Sequence, residues 1–143
     1  MTYNLDNLKF ISENEGVSFP VFLYCNMKKN FMLHDMIDKP EVIYKGEFTT
    51  EDAFIMYHMG KFPLVSDLGE GTGSVLGELY YVDAPTLIYL DEYFNTLHRI
   101  DVKLVHKSQI SLGVHGFMYV GSLRFNTKKI ELDINNNLVW KGK

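Results

Sequence analysis

Cys25 directly follows the apolar run Val21-Phe22-Leu23-Tyr24 and is the only cysteine in the chain. A thiol in a turn after a central strand can act as a nucleophile when an imidazole takes its proton. Five histidines, His34, His58, His98, His106 and His115, are available for that role. None stands at a spacing that marks a Cys/His pair, and the commonest state of a free cysteine is a small, buried, inert thiol. The histidines also lack metal-ligand spacing, and one cysteine cannot close a thiolate zinc site. No metal and no cofactor is therefore expected. Met27, Met32, Met36, Met56 and Met59 read as core filler that would also suit an adaptable pocket wall.

The elements that position these side chains belong to one domain, residues 1–143. The 46% apolar and 22% charged content is ordinary for a globular protein, so neither disorder nor a fibrous class is indicated. Ten Phe and nine Tyr suit strands and pocket walls. A net charge of −4 offers no basic field for a phosphate backbone, so no nucleic-acid partner is expected. No apolar run approaches the ~20 residues that would span a membrane. The N-terminus MTYNLDNLKF does not read as a signal peptide, and the single cysteine fits a cytoplasmic location.

Leu5, Leu8 and Ile11 recur at helical spacing and Gly16 ends that helix. Val17 to Tyr24 reads as a buried strand, FMLHDMI (residues 31–37) as one or two turns of helix, and Val42 to Phe48 as a strand. Thr49 to Gly60 fits either a Thr-capped short helix or a strand. Asp67 to Gly73 is a glycine-rich loop, and Ser74 to Val82 is a strand in which Gly77 marks a bulge or a close backbone approach. Asp83 is a good N-cap with Pro85 in the first turn, and Leu87, Leu90, Phe94 and Leu97 give the following helix one apolar face. Ile100 to Val105 alternates as a strand with one wet face. Strands follow at Gly116 to Phe125 and Ile130 to Ile134, then a turn at 133–137, and LVWKGK closes the chain as a short strand or an anchor. Strand mostly follows strand, so the fold class is α+β: a small mixed β-barrel with a few short helices.

Read together, these pieces resemble the gamma-glutamylcyclotransferase-like superfamily, in particular its gamma-glutamylamine cyclotransferase and AIG2-like members, over most of Val21 to Val120. The best-matched motif is V-x-G-E-(L/I)-Y-x-V-D, present as Val75, Gly77, Glu78, Leu79, Tyr80, Val82 and Asp83. Lys45-Gly46-Glu47-Phe48, Phe62-Pro63-Leu64-Val65 and Met118-Tyr119-Val120 match further strands. The L-D-x-(F/Y)-E-G motif keeps Leu90, Asp91 and Tyr93 but has Phe94 and Asn95 in place of Glu-Gly. Y-x-R-x-x-V keeps Arg99 and Val102 with Leu97 for its Tyr, and the Tyr-Gly-Thr-Leu turn appears as Tyr24-Cys25-Asn26-Met27.

The resemblance implies an anion-cradling turn of backbone N–H groups and a Glu that shuttles a proton as the α-amino group attacks the γ-carbonyl and releases 5-oxoproline. Phe94 occupies that Glu position and cannot move a proton. Among other acids, Glu92 points to a different helix face, Asp91 reads as bonding locally, Glu78 belongs to the strand motif, and Glu70 in the glycine-rich loop is the freest to reach a pocket. The resemblance thus implies a pocket formed by Tyr24, Cys25, Asn26, Met27, Phe62, Pro63 and Phe94, binding a small anionic or amide-bearing molecule with catalysis lost or altered. The alternatives are an active cyclotransferase with a relocated carboxylate such as Glu70, or a protein-interaction module whose partner is another protein.

Overall fold

The computed structural model describes residues 4–68, 70–107, 113–122 and 128–142. Its strands are β1 (Phe19–Leu23), β2 (Ile43–Thr50), β3 (Ile55–His58), β4 (Pro63–Ser66), β5 (Ser74–Val82), β6 (His98–His106), β7 (Val114–Val120) and β8 (Asn137–Leu138). Helix α1 spans Leu5–Glu13, α2 spans Ala84–Tyr93, and one 3₁₀ turn covers His34–Met36.

Five strands close a barrel in the order β1-β7-β6-β2-β5, with β5 returning to β1. The β1–β7 pair is parallel and the other four seams are antiparallel, so the barrel is mixed, as expected from the sequence. β5 is the organising strand. One edge pairs with β2, while the other carries β1 along Glu78–Val82 and β8 at Ser74 and Val75. Gly77 lies where the β1 backbone crosses closest: a Cβ there would stand 2.6 Å from the Leu23 carbonyl oxygen and 2.7 Å from the Phe22 ring. On the opposite edge, β2 shifts register between Tyr44 and Gly46, whose φ of +115° lets the strand bend.

Alternate residues of β1 feed two apolar layers. Phe22 points into a cluster with Phe48, Met56, Leu79, Leu104, Met118 and Trp140, the filling of the barrel. Val21 and Leu23 face the other way, to a layer with Tyr80, Val82 and Tyr119 that is covered by Leu87 and Leu90 of α2. α2 starts where its cap predicts: the Asp83 carboxylate accepts the Thr86 N–H, and Pro85 sits in the first turn.

One element left open by the sequence resolves as strand, and one expected strand is absent. Thr49 and Thr50 continue β2, and Ile55–His58 is a strand paired with β4, so the residues 49–60 hold no helix. Ile130 to Ile134 is not a strand. It meets the strands through a bridge of neighbouring Lys129 to Tyr57, a hydrogen bond from the Ile130 N–H to the Met56 carbonyl and one from the Asp133 N–H to the Asn137 carbonyl of β8, because the turn at 134–136 begins at once and leaves no room for a ladder. The strand expected at Gly116 to Phe125 runs over Val114–Val120, and residues 123–127 lie outside those described. No helix among the described residues is long and apolar enough to cross a membrane.

Candidate functional site

β1 ends in a turn that is tied down from several directions. The Lys28 N–H donates to the Cys25 carbonyl (3.2 Å) and the Leu33 N–H to the Asn26 carbonyl (2.9 Å). Glu78, buried on β5, accepts the Lys29 N–H at 2.8 Å and the Tyr80 hydroxyl at 2.7 Å through one oxygen. The Asn26 amide is used at both ends: its nitrogen donates to the Lys61 carbonyl (2.9 Å), and its oxygen accepts the Trp140 indole N–H (2.6 Å). Nζ of the buried Lys28 donates to the Trp140 carbonyl at 2.9 Å. These bonds hold a turn with little regular structure in one conformation.

Beside this turn, between β1, the entry to β4 and the end of α2, lies a cavity of about 210 Å³. Tyr24, Cys25, Asn26, Phe62, Pro63 and Phe94 all line it. Met27, grouped with them from the sequence, is wholly buried in the layer under α2 and does not line it. Leu33, Leu64, Tyr93, Thr96, Leu97 and Tyr119 also line the cavity, and the sequence did not group them with it. The signal for Tyr119 was its alternation on β7, which turns it to the α2 side with the residues around Phe94. Leu33 and Thr96 sit in irregular segments and had no such signal.

Phe94 is the C-cap of α2, its N–H donating to the Leu90 carbonyl at 2.9 Å. Its ring stacks on Tyr119, with centroids 4.6 Å apart and planes 28° apart, and meets Tyr93 edge-on at 5.0 Å. Behind the stack the Tyr119 hydroxyl donates to Asp91 (2.6 Å), whose other oxygen is 3.7 Å from the Arg99 guanidinium. Asp91 therefore bonds across to β7, not locally as its position suggested. Burial, then the bond to Asp91, raises the Tyr119 pKa well above an ordinary phenol.

Tyr24 and Cys25 are likewise held in their protonated forms. The Tyr24 hydroxyl donates to the Tyr119 carbonyl (2.8 Å) and accepts the Val65 N–H (3.2 Å), and burial pushes its pKa far up. Burial raises the Cys25 thiol to about 11, against weaker opposing hydrogen bonds from the Met27 and Cys25 N–H groups. A thiol held protonated is a poor nucleophile. Cys25 also does not adopt a left-handed backbone: Asn30 and Asn136 are the only non-glycine residues with positive φ among those described.

Glu70 is exposed and does not line the cavity, and Glu92 is exposed on α2. A Ser/His/Asp arrangement does form at the surface, where Asp67 and Ser122 approach His98. Asp67 is 3.1 Å from Nε2, while Ser122 Oγ is 3.2 Å from Nε2 and 3.4 Å from Nδ1, and none of the three residues lines the cavity. No group of three or more His, Cys, Asp or Glu among the described residues could hold a metal ion.

Comparison with known proteins gives the scaffold a family context. Residues 21–136 match the family model described as gamma-glutamyl cyclotransferase, AIG2-like. A Vibrio cholerae protein named "Putative gamma-glutamylcyclotransferase" is 34% identical over 71 residues, which are 50% of this chain and 57% of that protein. The match thus spans little more than half the length of that relative. Among solved structures, a mouse AIG2-like protein superposes with a TM-score of 0.68 at 20% identity, over 76% of this chain and 80% of that one. An uncharacterized protein from Pyrococcus horikoshii gives 0.61 at 19%, over 79% and 86%. At these identities the structural likeness is one of fold.

Proposed function

Because this chain belongs to the gamma-glutamyl cyclotransferase, AIG2-like family, we propose that it binds a small amide-bearing molecule in the cavity beside β1 and has lost ordinary cyclotransferase turnover. The observation that carries this reading is Phe94. It stands where the resemblance places the acid/base Glu, it lines the cavity, and its ring is packed against Tyr119. Cyclisation of a γ-glutamyl amide makes a bond from the α-amino nitrogen to the γ-carbonyl carbon and breaks the bond to the leaving amine. A proton must leave the attacking nitrogen and reach the departing one, and loss of the group that carries it costs roughly 10²–10⁴ in rate. The protein then acts by binding or sequestering its ligand, and the absence of an internal disulfide is compatible with doing so in the cytoplasm.

A second reading, an active enzyme with a relocated acid, has one observation in its favour. Asp91 accepts a hydrogen bond from Tyr119, a cavity-lining phenol, and so stands one group away from the cavity. Glu70, exposed and away from the lining, has no comparable support. The two readings separate on incubation with γ-glutamyl amines and γ-glutamyl dipeptides, following 5-oxoproline. The binding reading expects none from the native chain. Turnover that persists in Glu70→Gln and disappears in Asp91→Asn would overturn it in favour of the second.

A further inference from the structure

We propose that the occupant of this cavity is uncharged and flat, an aromatic or heteroaromatic ring bearing a neutral amide, and not a zwitterionic amino acid derivative. This deepens the binding reading above and rests on it.

Charge is the first ground. No Asp, Glu, Lys, Arg or His is among the described residues that line the cavity. The lining groups able to ionise, Tyr24, Cys25, Tyr93 and Tyr119, all have pKa values raised by burial, which leaves the wall neutral and poorly solvating. An ammonium or carboxylate entering it would lose water without gaining a counter-charge.

Polar capacity is the second ground. The Asn26 amide, the Tyr24 hydroxyl and the Tyr119 hydroxyl already bond to the protein. Thr96 and Tyr93, both exposed residues of the lining, carry the other side-chain hydroxyls available to one neutral amide. Size and shape are the third. The volume of about 210 Å³ exceeds the ~150 Å³ at which an apolar protein cavity holds benzene, so one substituted ring fits. Phe94, fixed by its stack on Tyr119, offers a flat wall for that ring.

Benzamide, benzoate, benzylammonium and cyclohexanecarboxamide are suitable probes, titrated into the full chain while the methyl resonances of Leu33, Leu64 and Leu97 are followed by NMR. Benzamide is expected to shift these methyls, with both charged analogues at least roughly tenfold weaker. Cyclohexanecarboxamide, equally neutral but not flat, and the Phe94→Leu variant with benzamide should each bind about two- to tenfold more weakly. Equal or tighter binding of benzoate or benzylammonium overturns the proposal. So does binding of γ-glutamylbenzylamide, tested alongside, when benzamide fails; that result leaves the binding reading standing. If none of these molecules shifts the methyls, the cavity is not a small-molecule site and both readings fall.

Discussion

The Phe94 ring lies on the Tyr119 ring at 4.6 Å, while the Tyr119 hydroxyl is held by Asp91 at 2.6 Å. The residue at the position where the resemblance places the acid is therefore integrated with its neighbours: its backbone N–H caps α2, and its side chain lines the cavity and stacks on Tyr119. Phe94→Leu should lose the stack but keep the apolar volume, destabilising the protein by about 0.5–1.5 kcal/mol in urea denaturation. Phe94→Glu places a carboxylate on a half-buried ring near Asp91 and should cost more than Phe94→Leu. If Phe94→Glu were the more stable of the two, the packing argument for this residue would fail.

Alkaline stability gives a test of the buried phenols and thiol. Tyr24, Tyr80, Tyr119 and Cys25 all have folded-state pKa values raised above their ordinary values, with burial as the largest cause. The unfolded chain releases these protons near its ordinary values, 9.0 for the thiol and 10.0 for the phenols, while the folded chain holds them. Stability is then fully present below about pH 9 and declines as pH rises, through the thiol's folded value of about 11 and onward for the phenols. Each group contributes a slope of up to ~1.4 kcal/mol per pH unit. Urea midpoints measured from neutral to alkaline pH should be level and then fall steeply, with the phenolate absorbance of Tyr24, Tyr80 and Tyr119, read as the difference from single Tyr→Phe variants, appearing together with unfolding. Tyr119→Phe should make the fall shallower. Phenolate absorbance that comes before unfolding and is lost in the Tyr24→Phe, Tyr80→Phe or Tyr119→Phe variant would contradict the burial of that ring.

Local signals account for what the sequence made legible. Asp83 and Pro85 start α2 where expected, β5 matches its predicted bounds, and the alternation of β6 is realised as one wet and one buried face. The mixed barrel follows from strand succession, and six of the seven grouped pocket residues meet at one cavity. The remainder depended on contacts distant in sequence. Trp140 reaches Asn26 across 114 positions, and Tyr119 reaches Asp91 across 28, with no local pattern to announce either. Met27 was misplaced for a related reason: a turn residue beside the pocket motif carries no mark of which way its side chain points, and this one points under α2.

Gly77 tests the closure of the barrel. A methyl group there would meet the Leu23 carbonyl oxygen at 2.6 Å and the Phe22 ring at 2.7 Å, and one of the two obstacles is backbone. β1 would have to move away from β5, and the turn carrying Cys25 and Asn26 would move with it. Gly77→Ala should destabilise by roughly 1–3 kcal/mol or more, and the methyl shifts of Leu33 and Leu64 should change even though the substitution is outside the cavity lining. A normal urea midpoint for this variant would mean the seam has slack that the geometry does not show.

Trp140 holds the C-terminal segment against the same turn, and its two bonds can be separated experimentally. Its side chain is almost fully buried, its indole N–H donates to Asn26, and its carbonyl accepts the Lys28 ammonium. Burial lowers the Lys28 pKa, and the charge of Glu78 partly offsets that, so this cation depends on its few close partners. Trp140→Ala should cost about 3–5 kcal/mol through the lost core volume. Trp140→Phe keeps most of the ring but leaves the Asn26 oxygen without its donor, for a cost of about 1–3 kcal/mol. Lys28→Met removes the donor to the Trp140 carbonyl and also the cation lying over Phe31. Because Asn26 and Lys28 bracket the cavity turn, Trp140→Phe and Lys28→Met should both weaken benzamide binding without touching the cavity wall. Should they lower stability and leave that binding unchanged, the turn is held rigid by its other bonds, to Glu78, Lys61 and the Leu33 N–H, without Trp140.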